Sequence, residues 1–318
     1  METKFKNLSD IQKVFHSEEV CREQLERIRW NGNPACPHCG TASKPYKLKD
    51  GKTYKCSDKD CKQKFTVTVG TIFENTKLPL QKWFIAMYLV TSHKKGISSL
   101  QLSRDLGITQ KAAWFVNHRI REMLRESQPV MLQGTVEIDE TYVGGKLSNK
   151  HVGERKKQHE LKGTLKGRPT GDTKTAVLGL VQRDGKLVQQ VMKATTKKDI
   201  LPLIEKHVKK GSTMHTDEYR TYQQLTKLGY KHETVAHLYN EYFRDGVHTN
   251  TIEGAFSLLK RGIIGIFHYV SAKHLNRYCD EFSYRYNTRQ QGESERFCNA
   301  ITGASGKRLK YQQLIGKK

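Results

Sequence analysis

With 318 residues, 56 of them Lys or Arg against 32 Asp or Glu, the chain carries a formal charge of +24 and a pI near 9.7. A surplus of that size draws polyanions, nucleic acid foremost, and the length allows two or three domains. Hydrophobic residues make up 36% and nowhere run eighteen together, which excludes an ordinary membrane-spanning helix. With no apolar leader in METKFKNLSDIQKVF, a cytoplasmic protein is expected, on the nucleoid when DNA-bound.

The first thirty residues hold a helical pattern, SEEVCREQLERIRW, with Val20, Leu25 and Ile28 as loosely spaced apolar positions. After NGNP come Cys36 and Cys39 as C-x2-C, then, sixteen residues on, Cys56 and Cys61 as C-x4-C, amid short β-type runs KTYKC and KFTVTV. Zinc takes four soft ligands in a tetrahedron, and two turns that each present two thiolates supply them. Seven cysteines, an odd count without a secretion signal, argue against a disulfide framework. Residues 1–75 are therefore expected to form a ribbon holding structural Zn²⁺ behind a helical lead-in. Cys21, Cys279 and Cys298 stand apart as packing or surface residues.

Residues 76–130 read as all-helical. LQKWFIAMYLVTS is followed by SSLQLSRDLGITQKAAWFVNHRIREMLRE, where Leu102, Leu106, Ile108, Ala113 and Val116 fit two short helices joined at Gly107. Thr109 suits the N-cap of the second. This is the pattern of a helix-turn-helix, which would present Gln110, Lys111, Trp114, Asn117 and His118 to a DNA major groove. A helical hairpin used only for packing gives the same pattern.

Residues 131–291 read as one α/β domain. TVEIDETYVGG alternates as a strand should, and TAVLGLVQ and LVQQVMKAT form a hairpin turning at Asp184-Gly185. KKDILPLIEKHVKK follows as an amphipathic helix with Pro202 in its first turn, and STMHTDEYRTY as a short strand ending in a polar loop. HTNTIEGAFSLLKR, with Ile252, Ala255, Leu258 and Leu259 facing a core, and HLNRYCDEFSYRYNTR supply two more helices. Between the first two strands, residues 146–174 carry nine Lys or Arg with little periodicity, a cationic loop suited to phosphates. Residues 292–318 read as a basic C-terminal tail.

This strand-strand-strand-helix-strand order is that of a ribonuclease-H-like α/β fold, expected as the catalytic domain. It sets the end of the first strand beside the end of the fourth, and so Asp139 beside Asp217. Glu253 arrives thirty-five residues after Asp217, on the next helix. Two aspartates and a glutamate form an oxygen cage for hard divalent cations, Mg²⁺ or Mn²⁺, and a pair of such ions suits in-line phosphoryl displacement. Lys260 lies on the face of Glu253, about 10 Å further along the helix, within reach of a bound phosphate. Other readings of the same residues stay open. Glu137 shares the face of Asp139, and alternation cannot choose between them. Glu253 also fits a capping box opened by Asn250, and Asp217-Glu218 also fits a polar turn.

VEIDETYVGG, HTDEYRTY, HTNTIEGAFSLLKRGIIGIFHYVS and YRYNTR, behind CPHCG…KCSDKDCKQKFTVTVGTIFE, resemble the zinc-ribbon DDE transposases of bacterial insertion sequences, the ISXO-like group. The resemblance runs from about residue 14 to 290. It implies that Asp139, Asp217 and Glu253 are the metal-binding catalytic triad, that Lys260 with Arg261 meets DNA, and that Asn250 and His248 stand beside the metal ligands. The four residues inside CSDKDC exceed the more usual zinc-ribbon spacing. The implied activity is binding of double-stranded DNA at the element's ends, strand cleavage and strand transfer, by a protein at least dimeric on DNA. Two rivals remain: a DNA-binding regulator on the same scaffold without catalysis, and a ribonuclease-H-like nuclease.

Overall fold

Asn7 and Ser17 open the first two helices by accepting hydrogen bonds from the backbone N–H groups of Asp10 and Val20. These helices are α1 (Leu8–Val14) and α2 (Glu18–Trp30). The computed structural model describes residues 4–41, 44–145, 152–153, 174–235, 243 and 246–316. It divides into two units, Met1–Arg125 with Thr288–Lys318, and Glu126–Asn287.

In the first unit, β1 (Tyr46–Lys47), β2 (Tyr54–Lys55) and β3 (Lys64–Phe65) make a small antiparallel sheet. Its core is aromatic: Tyr54 stacks on Phe65, and Trp30 of α2 meets both rings edge-on. Next come α3 (Leu80–Ser92), α4 (Ser99–Leu106) and α5 (Gln110–Leu124). Gly107 closes α4 at φ 58° and ψ 49°, a left-handed conformation that glycine adopts without strain, and Thr109 caps α5 through Ala112 N–H. The two-helix pattern joined at Gly107 is thus realised. From Val116 to Leu124, however, α5 is buried at every position. It is a core helix over its second half, with Ala113 and Val116 inward as the periodicity requires.

The second unit is built on one mixed sheet. Its strands are β4 (Thr135–Val143), β5 (Thr175–Gln182), β6 (Leu187–Met192), β7 (Thr213–Thr216) and β8 (Lys231–Thr234), in the order β6-β5-β4-β7-β8. The first three are antiparallel, whereas β7 and β8 run parallel to β4. This is the ribonuclease-H-like topology; β8 is a strand the sequence reading missed. Helix α6 (Lys197–His207) covers one face, where Val136, Ile138, Leu178 and Leu180 meet Ile200 and Ile204. Pro202 stands in its second turn, not its first. The other face carries α7 (Asn250–Gly262), a π-helical turn Ile263–Phe267, and α8 (Ala272–Asn287), packed on Val143, Val177 and Val181. On α7 the buried residues are Ile252, Ala255, Phe256 and Leu259, while Leu258 is half-buried. Apart from Val152, Gly153 and Lys174, the basic stretch 146–174 lies outside the described residues.

After α8 the chain rejoins the first unit through α9 (Glu293–Thr302) and α10 (Tyr311–Ile315). Residues 292–316, expected as a basic tail, are therefore folded into this unit. Phe297 is fully buried, with ring centroids 5.3, 5.6 and 5.3 Å from Phe5, Phe15 and Phe84, and Ile72 N–H donates to Ala304 O at 3.0 Å. Burying that much aromatic surface outweighs the solvation of the basic residues around it.

Candidate active site and metal centre

The four cysteines converge. Cys36 and Cys39 sit in the turn after α2, Cys56 and Cys61 around the turn between β2 and β3, and their sulfurs all lie within 4.8 Å of one another. Cys36 Sγ is 3.7 Å from Cys61 Sγ, and Cys39 Sγ is 3.6 Å from Cys56 Sγ. A tetrahedron with Zn–S bonds of about 2.3 Å has edges of about 3.8 Å. The cage fits zinc in both donor type and size. Burial pushes the Cys36 thiol up, yet hydrogen bonds from the backbone of Cys39 and His38 outweigh it and draw the group down to about 7, toward the thiolate a metal requires.

In the sheet unit, the β4–β7 ladder pairs Glu137 with His215. Asp139 follows Glu137 by two on β4, on the same face, and Asp217 follows His215 by two. Both aspartates are half-buried. Asp217 is the first residue past β7, and its Oδ1 accepts from Tyr219 N–H at 3.0 Å in a local turn. Glu253 is exposed in the first turns of α7, with Thr249 Oγ1 donating to its Oε1 at 3.3 Å. Helix α7 crosses the sheet at the level of Asp139. Gly179, the strand partner of Asp139, leaves the room: a Cβ there would lie 2.5 Å from Ile252 Cδ1 and 2.6 Å from Phe256 Cζ.

The start of α7 differs from the capping box that opens at Asn250. Thr249 is the N-cap and Asn250, exposed, is the first helical residue, so Glu253 lies one position beyond N3. The cap comes from another element. Glu137, fully buried on β4, accepts from Thr251 N–H (2.8 Å), Thr251 Oγ1 (2.8 Å) and Ile252 N–H (3.1 Å). A carboxylate at a helix N-terminus satisfies donors the helix itself cannot, and gains from its dipole. Half-buried His248 brings Nδ1 to 3.3 Å from Glu137 Oε1, and Arg183 Nε donates to the same oxygen at 3.0 Å. Glu137 is thus engaged, whereas Asp139 is left nearer solvent.

Glu140 points to the α6 side, beside the buried Tyr222, with its Oε1 shut off from solvent. Burial first, then the negative charges of Asp217 and Asp139, push its carboxyl up to about 7. These aspartates therefore concentrate negative charge at one edge of the sheet, and hard oxygen donors of that kind fit Mg²⁺ or Mn²⁺. Among the described residues, the cysteines are the group of three or more ligating side chains gathered within 4.8 Å; the three carboxylates are not closed to that extent. Sequence reasoning missed Arg183, Thr251 and Tyr222, for which only the ambiguous Glu137 gave a signal.

Of the residues expected to meet DNA, Gln110, Lys111, Lys260 and Arg261 are exposed. Gln110 Nε2 donates to Ser99 Oγ at 2.8 Å, and Lys111 Nζ lies 5.0 Å from the Tyr311 ring centroid. Asn117 is buried, its Nδ2 donating to Ile97 O at 3.5 Å, and His118 is fully buried with its ring on Trp114. Asn117 and His118 therefore do not face a groove: the second half of α5 is enclosed by the helices around it.

One chain thus joins a ribonuclease-H-like sheet unit with an acidic edge to a four-cysteine ribbon, the pairing of a zinc-ribbon transposase. Residues 131–287 match the ISXO2-like transposase domain family, and residues 16–64 the transposase zinc-ribbon domain. A Halobacterium salinarum protein described as "Uncharacterized protein in transposable element ISH50" is 31% identical over 254 residues, covering 78% of this chain and 84% of its own. A pre-cleavage Mos1 transpososome structure is matched at 13% identity and a TM-score of 0.23, over 67% of this chain and 75% of that one, too remote to carry weight. The chain belongs to the ISXO2-like transposases. Among the described residues no helix is long and apolar enough to cross a membrane.

Proposed function

We propose that this transposase cuts and joins DNA at one acidic site formed by Asp139, Asp217 and Glu253. The observation that supports the reading is the Glu137–His215 register, two residues before Asp139 and Asp217, with Glu137 capping the helix that bears Glu253. These carboxylates would hold Mg²⁺ or Mn²⁺, which supplies charge neutralisation to the attacking and leaving oxygens of a phosphodiester. Water first adds to the phosphorus at the element's end, and the bond to the 3′ oxygen breaks. That leaves a 3′-hydroxyl on one side and a 5′-phosphate on the other. The 3′-hydroxyl then attacks a target phosphate, whose own 3′ oxygen departs with a proton. No covalent bond to the protein is needed.

Lys260 and Arg261 leave the far end of α7 exposed and positive, suited to DNA phosphates near the cut. Gln110 and Lys111, in the exposed first turn of α5, are suited to contact the element's terminal sequence. Bringing two ends together requires at least two copies on DNA.

The test incubates zinc-loaded protein and Mg²⁺ with labelled DNA carrying the element's ends, beside Glu253→Gln. Metal-dependent cleavage and strand transfer, lost in the variant while end binding persists, is the expected result. Binding without cleavage by both proteins would favour a regulator. Cleavage without strand transfer, or preferred on RNA–DNA hybrids, would favour a nuclease.

A further inference from the structure

Beneath the three carboxylates lies a second set of polar side chains, in step with them along the chain. Glu137 precedes Asp139 by two residues on β4, His215 precedes Asp217 by two before the end of β7, and Thr251 precedes Glu253 by two on α7. Glu137 and His215 are buried and are direct partners in the ladder. Arg183, just past β5, joins the members. Its Nε donates to Glu137 Oε1 at 3.0 Å and its Nη2 to His215 Nδ1 at 3.1 Å. It also clasps the segment entering α7, donating to Gly246 O at 2.8 Å and His248 O at 3.3 Å. Glu137 completes the circuit by capping α7 at Thr251 and Ile252. His215 Nε2, 3.2 Å from Glu233 Oε2, ties in β8.

We infer that Glu137, Arg183, His215 and Thr251 are positioning residues: together they fix the spacing of Asp139, Asp217 and Glu253, and so tune how tightly that site takes a divalent cation. The inference rests on the reading of those three carboxylates given above. Its physical basis is that the three come from separate elements, and like charges on separate elements drift apart unless the elements are tied. Backbone ladder bonds tie β4 to β7, but among the described residues none reaches α7. The Glu137 cap and the Arg183 clasp are polar ties from the sheet side to the start of α7. Both are directional, unlike the apolar contacts of Ile252 and Phe256 against Gly179. A polar network anchored on the buried Glu137 and His215 holds one geometry more strictly than oily packing does. Partners that orient ligands typically change metal affinity by roughly 10–100-fold when removed.

Two variants test it. Thr251→Val keeps the branched shape and removes one donor to Glu137. Glu137→Gln with Arg183→Met removes both charges together, so no lone buried charge remains to unfold the protein. Each is compared with wild type, Asp139→Asn and Glu253→Gln in Mn²⁺ binding followed by electron paramagnetic resonance, in thermal midpoint, and in end binding and cleavage. The expected result for both variants is end binding as in wild type and Mn²⁺ affinity weakened by roughly 10-fold or more. Cleavage falls by up to roughly 100-fold in kcat with little change in KM for DNA. A merely structural role lowers the thermal midpoint and leaves the metal affinity of the folded protein as it was, which overturns the inference. Should the double variant not fold, Thr251→Val alone decides. If Asp139→Asn and Glu253→Gln bind Mn²⁺ and cleave like wild type, the carboxylate reading falls and takes this inference with it. If those two lose both properties while Thr251→Val and the double variant keep both, the positioning inference alone is wrong.

Discussion

The two units hold their ligand sets in opposite ways. The cysteine sulfurs lie in two close pairs at 3.6 and 3.7 Å, all from turns of one small ribbon. The carboxylates come from a strand, the end of a second strand and a helix, and remain open. The difference is electrostatic. Sulfurs from turns of one small ribbon can close on a single soft ion, whereas two carboxylates at 4 Å repel by about 4 kcal/mol at an effective dielectric of 20. The ribbon spends its metal on folding, since only a few aromatic side chains form its core. The sheet has two packed apolar faces to fold around, and its acidic edge lies outside that packing.

The largest expected effect breaks that contrast at the ribbon. Stripping zinc with a chelator, or Cys56→Ser, removes a contribution of about 10–16 kcal/mol of the kind measured for structural zinc. Residues 31–70 should become protease-sensitive, while 174–235 and 246–287 stay protected. Protection of both on chelation would show that the aromatic core suffices and that the contrast is false.

Removing a carboxylate should act in the opposite sense. Asp139→Asn or Asp217→Asn is expected to lower cleavage by roughly 100-fold or more, in line with the loss of one preorganised charge at a reacting phosphate. The thermal midpoint should hold or rise, because mutual repulsion is relieved. A fall in midpoint comparable to that from chelating zinc would place the acids among the residues that hold the fold.

A smaller effect probes how α7 sits on the sheet. Gly179→Ala sets a Cβ 2.6 Å from the stiff Phe256 ring, and overpacking of this kind costs about 1–3 kcal/mol. Because Gly179 pairs with Asp139, the push falls between Asp139 and the helix bearing Glu253, so cleavage should drop by more than stability does. Chemical denaturation and cleavage rates on the same preparation check both halves.

What the sequence disclosed follows from which interactions are local. The knuckles, the break at Gly107 and the turn at Asp184 are set by neighbours in the chain, and all were legible. Strand β8, KHET, offers no apolar alternation and exists through its parallel pairing with β7. The second half of α5 misled because the polar Asn117 and His118 are buried there, beside buried Arg119, Arg121 and Glu122, against the rule that polarity marks surface. At the site, alternation placed Glu137 and Asp139 on one face, which is correct. What separates them is the N-terminus of α7 resting on Glu137, a contact made across more than a hundred residues of chain.

The smallest predicted effect asks whether acid finds the sheet unit first. His207 ends α6 with its ring buried and Nδ1 3.1 Å from Val130 O. Burial holds its pKa below the ordinary value of 6.5, so the unfolded chain takes up a proton before the folded one does. Stability from this group is therefore full above about pH 6.5 and drains away as pH falls toward the folded pKa, at up to about 1.4 kcal/mol per pH unit. Amide exchange in β5 and α6 should quicken between pH 7 and 5 once the intrinsic rate is allowed for. The change should be smaller in His207→Gln but not abolished, since burial shifts His215 and His232 the same way. Equal acceleration in the two proteins would mean that His207 titrates as an ordinary surface histidine, and that acid sensitivity of the sheet arises elsewhere.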